Sequence, residues 1–214
     1  MVNGAVFDMD GLMIDSERIV FENWVEIMER RGYEFGKDIF CRTIGMRRAE
    51  TERTLKELYG DDFPFLDIAE ECHYLFIEKT KDGMPVKKGL PEILDFFEER
   101  GVPLAVATST RRKSAERALS LAGVIDRFDA IICGEDVTRG KPDPEIFLTA
   151  SALIGAPPAE CAVFEDSING VRAAHSAGMI TVMIPDMQQP PEDIISQVDI
   201  LCNSLLDAIK YFNK

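Results

Sequence analysis

Val6-Phe7-Asp8-Met9-Asp10-Gly11-Leu12, almost at the N-terminus, decides how this chain is read. Gly4 to Phe7 reads as a short, wholly apolar strand of the kind buried on both faces in an α/β sheet. It stops at two carboxylates two residues apart, with a glycine behind them. While the backbone stays extended, Asp8 and Asp10 point the same way, because side chains alternate with period two. Like charges side by side repel, so a stable fold needs a cation, a proton or a donor between them. A strand that ends in Asp-x-Asp therefore suggests a hard metal ion such as Mg2+, which takes oxygen ligands. Taken alone, these residues fit a solvated acidic turn equally well.

The whole chain narrows the classes. Its 214 residues leave room for one large domain, or for a core domain with a smaller insert. Hydrophobic residues at 46% and charged residues at 29% describe an ordinary globular protein. A net charge of −14 argues against nucleic acid as a partner, which needs a basic face. Any phosphate chemistry must then rest on local positive clusters. Five scattered cysteines, with no Cys-x-x-Cys pair, suggest reduced thiols and a cytoplasmic location. Asp8 and Asp10 interrupt the one apolar N-terminal stretch, so no signal peptide is expected. No membrane partner is expected either, because no apolar run reaches the roughly 18 residues that a span requires.

Organisation follows from periodicity. Glu17 to Arg31, Arg47 to Tyr59 and Asp67 to Thr80 have helical spacing, and no strand is predicted between residues 16 and 82. From Leu90 onward, helices alternate with short apolar strands at 103–107, 130–133, 161–164 and 179–184. That alternation predicts an α/β fold: a Rossmann-like parallel sheet over residues 1–15 and 83–214, with an inserted all-helical domain over 16–82.

Three further strand ends carry chemistry. Leu104 to Ala107 runs into Thr108-Ser109-Thr110 and then Arg111-Arg112-Lys113, either an anion site or a simple helix cap. Lys141 stands in Gly140-Lys141-Pro142-Asp143-Pro144 and on its own reads as a surface lysine. Ala162-Val163-Phe164 leads into Glu165-Asp166-Ser167, a second acidic pair that alone reads as a helix cap.

Together, in this order, these four pieces resemble the four motifs of the haloacid dehalogenase superfamily. The flanking residues Gly11-Leu12-Met13-Ile14-Asp15-Ser16 and Ser167-Ile168-Asn169-Gly170-Val171-Arg172-Ala173-Ala174 are similar to the branch that holds β-phosphoglucomutase and small sugar-phosphate phosphatases. The resemblance spans essentially the whole chain and implies a set of roles. Asp8 would be the nucleophile that forms an aspartyl-phosphate, and Asp10 the general acid and then base. Mg2+ would be held by Asp8 and Asp166, by the backbone carbonyl of Asp10, and by Glu165 directly or through water. Thr108, Ser109 and Lys141 would bind phosphoryl oxygens, with Arg111 a lesser contact.

The resemblance also implies that the helical insert is a cap reading the leaving group of a small phosphorylated metabolite, an arrangement compatible with a monomer. Arg42, Arg47 and Arg48 could contact that group or pair with Glu50, Glu52 and Glu57, and Arg48 matches an arginine of the mutase cap loop. The mutases, however, carry a histidine where this chain has Val20 and a lysine where it has Ile44. A phosphatase is therefore expected ahead of a mutase. Trp24 is expected in a core, and His73 and His175 outside the chemistry. A phosphoacceptor receiver domain fits neither the length nor the position of Asp8. A catalytically idle member of the fold is the remaining alternative.

Overall fold

A computed structural model describes residues 2–44, 46 and 48–213. The chain forms two compact units, Met1–Asp15 with Gly83–Lys214, and Ser16–Asp82.

The larger unit is built on a six-stranded parallel sheet. The strands are β1 (Gly4–Phe7), β2 (Leu104–Ala107), β3 (Ala130–Ile132), β4 (Cys161–Glu165), β5 (Ile180–Met183) and β6 (Ile200–Leu201), in the spatial order β3-β2-β1-β4-β5-β6. Strands β1, β2 and β4 are buried along their whole length, which is why they read as unbroken apolar runs. On one face, Val6, Ala105, Ala107, Cys161 and Val163 pack against Ile146, Phe147 and Ala150 of α7 (Glu145–Leu153) and Ala173 and Ala174 of α8 (Ile168–Ser176). Phe7 and Phe164 point the other way and stack at 4.6 Å between ring centroids. Phe97 of α5 (Leu90–Glu98) and Phe212 of α10 (Leu205–Phe212) close edge-on or tilted against Phe164. Two faces thus enclose the central strands, one mainly aliphatic with Phe147 among its residues and one carrying the Phe7–Phe164 stack.

The smaller unit holds α1 (Ser16–Arg30), α2 (Lys37–Thr43), α3 (Arg48–Tyr59) and α4 (Phe65–Lys79). Trp24 is buried and stacks on Phe35 and Phe65, as its place in the apolar stripe of α1 predicts. Helix α2 was not expected from periodicity, and Phe40 is its sole buried residue, so it carries no repeating apolar signal. The larger unit likewise contains elements too short for a period: α9 (Glu192–Ile195) and β6. The remaining helix is α6 (Arg112–Leu121), and the other boundaries lie within a few residues of their expected positions.

The two chain segments that lead into and out of residues 16–82 are braced together. Ile14 bridges antiparallel to Val86, Asp15 N–H donates to the Pro85 carbonyl, and Lys87 N–H donates to the Met13 carbonyl, both at 2.9 Å. The Lys87 ammonium lies 3.2 Å from Asp15 Oδ1 and 2.5 Å from Asp186 Oδ1.

Gly89, which enters α5, has φ +90°, and a Cβ there would sit 2.1 Å from the Leu206 backbone nitrogen. Gly101 has φ +65° with open space around it. A left-handed L-residue costs about 1–2 kcal/mol, and overpacking adds about 1–3 kcal/mol. Gly89→Ala is therefore expected to lose more stability than Gly101→Ala by that second amount, as read from urea unfolding midpoints. Equal losses would show that α10 yields freely.

Candidate active site

Strands β1 and β4 are neighbours, with Phe7 opposite Phe164, so the residues that follow leave the sheet side by side at its carboxyl edge. The ladder runs one residue further, because Asp8 N–H donates to the Phe164 carbonyl at 3.0 Å. Val6 and Val163 face α7 and α8, so alternation sends Asp8 and Glu165 to that same side. From the loop before α7, Lys141 meets them. Its ammonium donates to Asp8 Oδ1 and, at 2.5 Å, to Glu165 Oε1. The Lys141 side chain is 6% exposed and that of Glu165 0%, so the residue that on its own reads as a surface lysine is buried against the strand-end acids, which need a cation.

Glu165 is held on its other oxygen as well. Oε2 accepts from Asp166 N–H at 3.0 Å, and from Ser167 N–H and Ser167 Oγ, both at 2.9 Å. Ser167 Oγ in turn accepts from Gly170 N–H at 3.0 Å and caps α8. A Cβ on Gly170 would fall 1.8 Å from the Glu165 carboxyl carbon, so this helix position is open to glycine alone while Glu165 keeps its place.

Asp8, Glu165 and Asp166 each offer an oxygen, and these atoms lie within 4.8 Å of one another. Three carboxylates against one ammonium leave an excess of negative charge in a buried place. An all-oxygen, anionic donor set of this kind fits a hard divalent cation. The same crowding shows in Asp8, whose carboxyl is pushed up to about 8. Burial is the main cause, Glu165 and Asp10 add to it, and Lys141 opposes it. Burial alone would lower the Lys141 ammonium, but Asp8 and Glu165 outweigh it and hold the group well above its ordinary value.

Asp10 follows the end of the strand at Phe7, forms an isolated bridge with Ile14 and lies close enough to Asp8 for its charge to raise that carboxyl. Asp10 Oδ2 accepts from Thr110 Oγ1 at 2.7 Å. Thr108 is 1% exposed and its Oγ1 accepts from Thr110 N–H at 3.1 Å, while Ser109 between them is exposed. Sequence reasoning stopped at Thr108 and Ser109 and missed Thr110, for which the only signal was a third hydroxyl in one run.

The structure thus gathers Asp8, Lys141, Glu165 and Asp166 in one cluster and joins Asp10 to the Thr108–Thr110 turn. Arg48 opens α3 in the smaller unit and is exposed, as is Arg42. Arg47, and the mutase-loop glycine at Gly45, lie outside the described residues. Two of the acids considered as partners for these arginines have others: Glu52 pairs with Lys56 at 2.8 Å and Glu57 with Arg53 at 4.0 Å. His73 and His175 are both exposed, and all five cysteines are free thiols. Among the described residues, no helix is long and apolar enough to cross a membrane.

Residues 2–178 match a hydrolase family described as haloacid dehalogenase-like hydrolase. A phosphorylated carbohydrates phosphatase of Thermotoga maritima is 33% identical over 183 residues, 83% of this chain and 82% of the relative. A β-phosphoglucomutase of Bacillus subtilis is 31% identical over 190 residues, 85% and 82% of the two chains. A crystal structure of a Thermotoga maritima protein superposes with a TM-score of 0.81 at 26% identity, over 98% of each chain.

Two outcomes are expected. Gly170→Ala must displace Glu165 from four donors, at a cost of about 1–3 kcal/mol or more, and should weaken divalent-cation binding measured by calorimetry. Retention of both stability and affinity would mean that Glu165 has room to move. The second outcome concerns pH. The Asp8 carboxyl lies higher folded than unfolded, so protonated Asp8 favours folding and that contribution is lost as pH rises towards 8. A divalent cation opposes the loss, so its effect on Tm should be larger at pH 9 than at pH 6, and Asp8→Asn should flatten the difference.

Proposed function

Because this chain belongs to the haloacid dehalogenase-like hydrolases, we propose that it is a Mg2+-dependent phosphatase of small sugar phosphates, working through an aspartyl-phosphate on Asp8. Its relatives include named phosphatases, and hydrolysis of phosphoric monoesters is the activity they support. The observation that carries the finer reading is the Asp8 carboxylate, which ends the central strand gripped by a buried lysine and crowded by two further acids.

Asp8 would attack phosphorus with one carboxylate oxygen. As that bond forms, the bond from phosphorus to the leaving oxygen breaks, and the leaving oxygen keeps the electron pair. A proton from Asp10 goes to that oxygen, and Asp10 then takes one from the water that hydrolyses the aspartyl-phosphate. Lys141 orients the nucleophile and meets the charge that gathers on the phosphoryl oxygens, with Thr108 and the Ser109 N–H beside them. Bound at Asp8, Asp166, Glu165 and the Asp10 carbonyl, Mg2+ would offset repulsion between these carboxylates and the phosphate. Buried side chains at this edge limit access of bulk water to Asp8.

Residues 16–82 serve in this reading as a cap, with Arg48 a contact for the leaving group. Val20 and Ile44 stand where mutases carry a histidine and a lysine, which favours hydrolysis over isomerisation. The free thiols fit a cytoplasmic protein.

The test is phosphate release from a panel of hexose 6-phosphates, hexose 1-phosphates, pentose phosphates, polyol phosphates and nucleoside monophosphates. Wild type should release phosphate from sugar or polyol esters. Chelation and Asp8→Asn should each remove the activity, by at least about 100-fold. Silence across the panel with metal bound would defeat the phosphatase reading. Conversion of β-glucose 1-phosphate to the 6-phosphate would replace it with the mutase.

A further inference from the structure

We propose that Asp136 is a positioning residue for Asp10, acting through the backbone of Gly134 and the hydroxyl of Thr110. The inference rests on Asp10 being the proton donor of the reading above.

Asp136 lies in the loop after β3, outside the carboxylate cluster. Its Oδ2 accepts from Cys133 N–H at 2.8 Å and from Arg112 Nη2 at 2.5 Å, and its own N–H donates to the Cys133 carbonyl at 3.0 Å. Arg112 Nη2 also donates to the Ile131 carbonyl at 3.0 Å. The first turn of α6, the end of β3 and the loop behind it are thereby tied at one carboxylate. That tie fixes Gly134, whose N–H donates to the Thr110 carbonyl at 3.3 Å. The approach is close: a Cβ on Gly134 would meet the Ser109 carbonyl oxygen at 2.5 Å. The loop at 133–136 is therefore a backstop for the turn at 108–110, and the turn delivers the 2.7 Å bond from Thr110 Oγ1 to Asp10 Oδ2.

This matters for proton transfer because a donor at Oδ2 disfavours a proton on that oxygen and places it on Oδ1. Asp10 must face the leaving oxygen with Oδ1 as the bond from phosphorus to that oxygen breaks. A small rotation of Thr110 would turn the proton aside, and general acid catalysis depends steeply on such alignment. Asp136 touches neither substrate nor metal in this arrangement. It holds the wall that Thr110 leans on.

A merely structural ion pair and a positioning residue differ in how variants respond to the leaving group. An alkyl phosphate needs its leaving oxygen protonated as it departs, whereas p-nitrophenolate leaves readily without help. The value of kcat/KM reports the step in which that oxygen departs. Asp136→Ala, Asp136→Asn and wild type would be compared on p-nitrophenyl phosphate and on the hexose phosphate ranking first in the panel. Hydrogen exchange at residues 108–111 would be followed in parallel. Asp136→Ala should lower kcat/KM on the hexose phosphate about tenfold or more, and on the aryl ester by no more than about threefold. Asp136→Asn keeps an acceptor for Cys133 N–H and should restore both. Exchange at 108–111 should quicken in the alanine variant alone. Equal losses on both esters, or no loss, would overturn the proposal. If wild type splits neither ester, the phosphatase reading falls. Unchanged exchange would then, by itself, overturn the Asp136 tie, and faster exchange would uphold it.

Discussion

Burying the Glu165 carboxylate is the constraint on which the rest of this edge of the molecule depends. An ionised carboxylate without solvent is costly unless each lone pair finds a donor. Here Lys141 serves one oxygen, and Asp166, Ser167 and the Ser167 hydroxyl serve the other. Each donor is then committed. Lys141 cannot leave without removing the cation that Asp8 and Glu165 share, Ser167 cannot move without uncapping α8, and Gly170 cannot carry a side chain. What reads in the sequence as Glu-Asp-Ser followed by a glycine is one hydrogen-bonded assembly.

The sheet supplies the place for that assembly. β1 has β2 on one side and β4 on the other, and the chain builds outward from it in both directions. Such a reversal leaves a crevice at the carboxyl ends of the central strands, where ligands of open α/β sheets bind. Asp8 and Glu165 reach the crevice on the same side because each lies an even number of residues from a core valine. Position in the fold and identity of the residue agree at every one of these points.

Much of this was legible in the sequence, and the reason is local. The acids at 8, 10, 165 and 166 and the hydroxyls at 108 and 109 follow apolar runs too plain to mistake for helices. Their order along the chain joined them to a family before any coordinate was known. What stayed hidden was set by tertiary contact. Lys141 alone reads as a surface lysine; its order among the motifs tied it to the site, and its bonds to Asp8 and Glu165 show only in the fold. Thr110 and Asp136 are ordinary loop residues whose meaning lies in pairs separated by 100 and 24 positions respectively. Helix α2 buries one phenylalanine and so has no period to read.

The braced linkers have a different kind of consequence. Residues 13–15 and 85–87 are bonded to each other by backbone and by Lys87, so the two ends of the insert leave the larger unit from a single point. A segment whose ends are already together costs little extra chain entropy however long it is, since closure grows only with the logarithm of length. The sheet is therefore indifferent to what is hung there. Residues 16–82 can be exchanged, lengthened or rebuilt without disturbing the strand ends, because everything the sheet feels of them passes through this one seam.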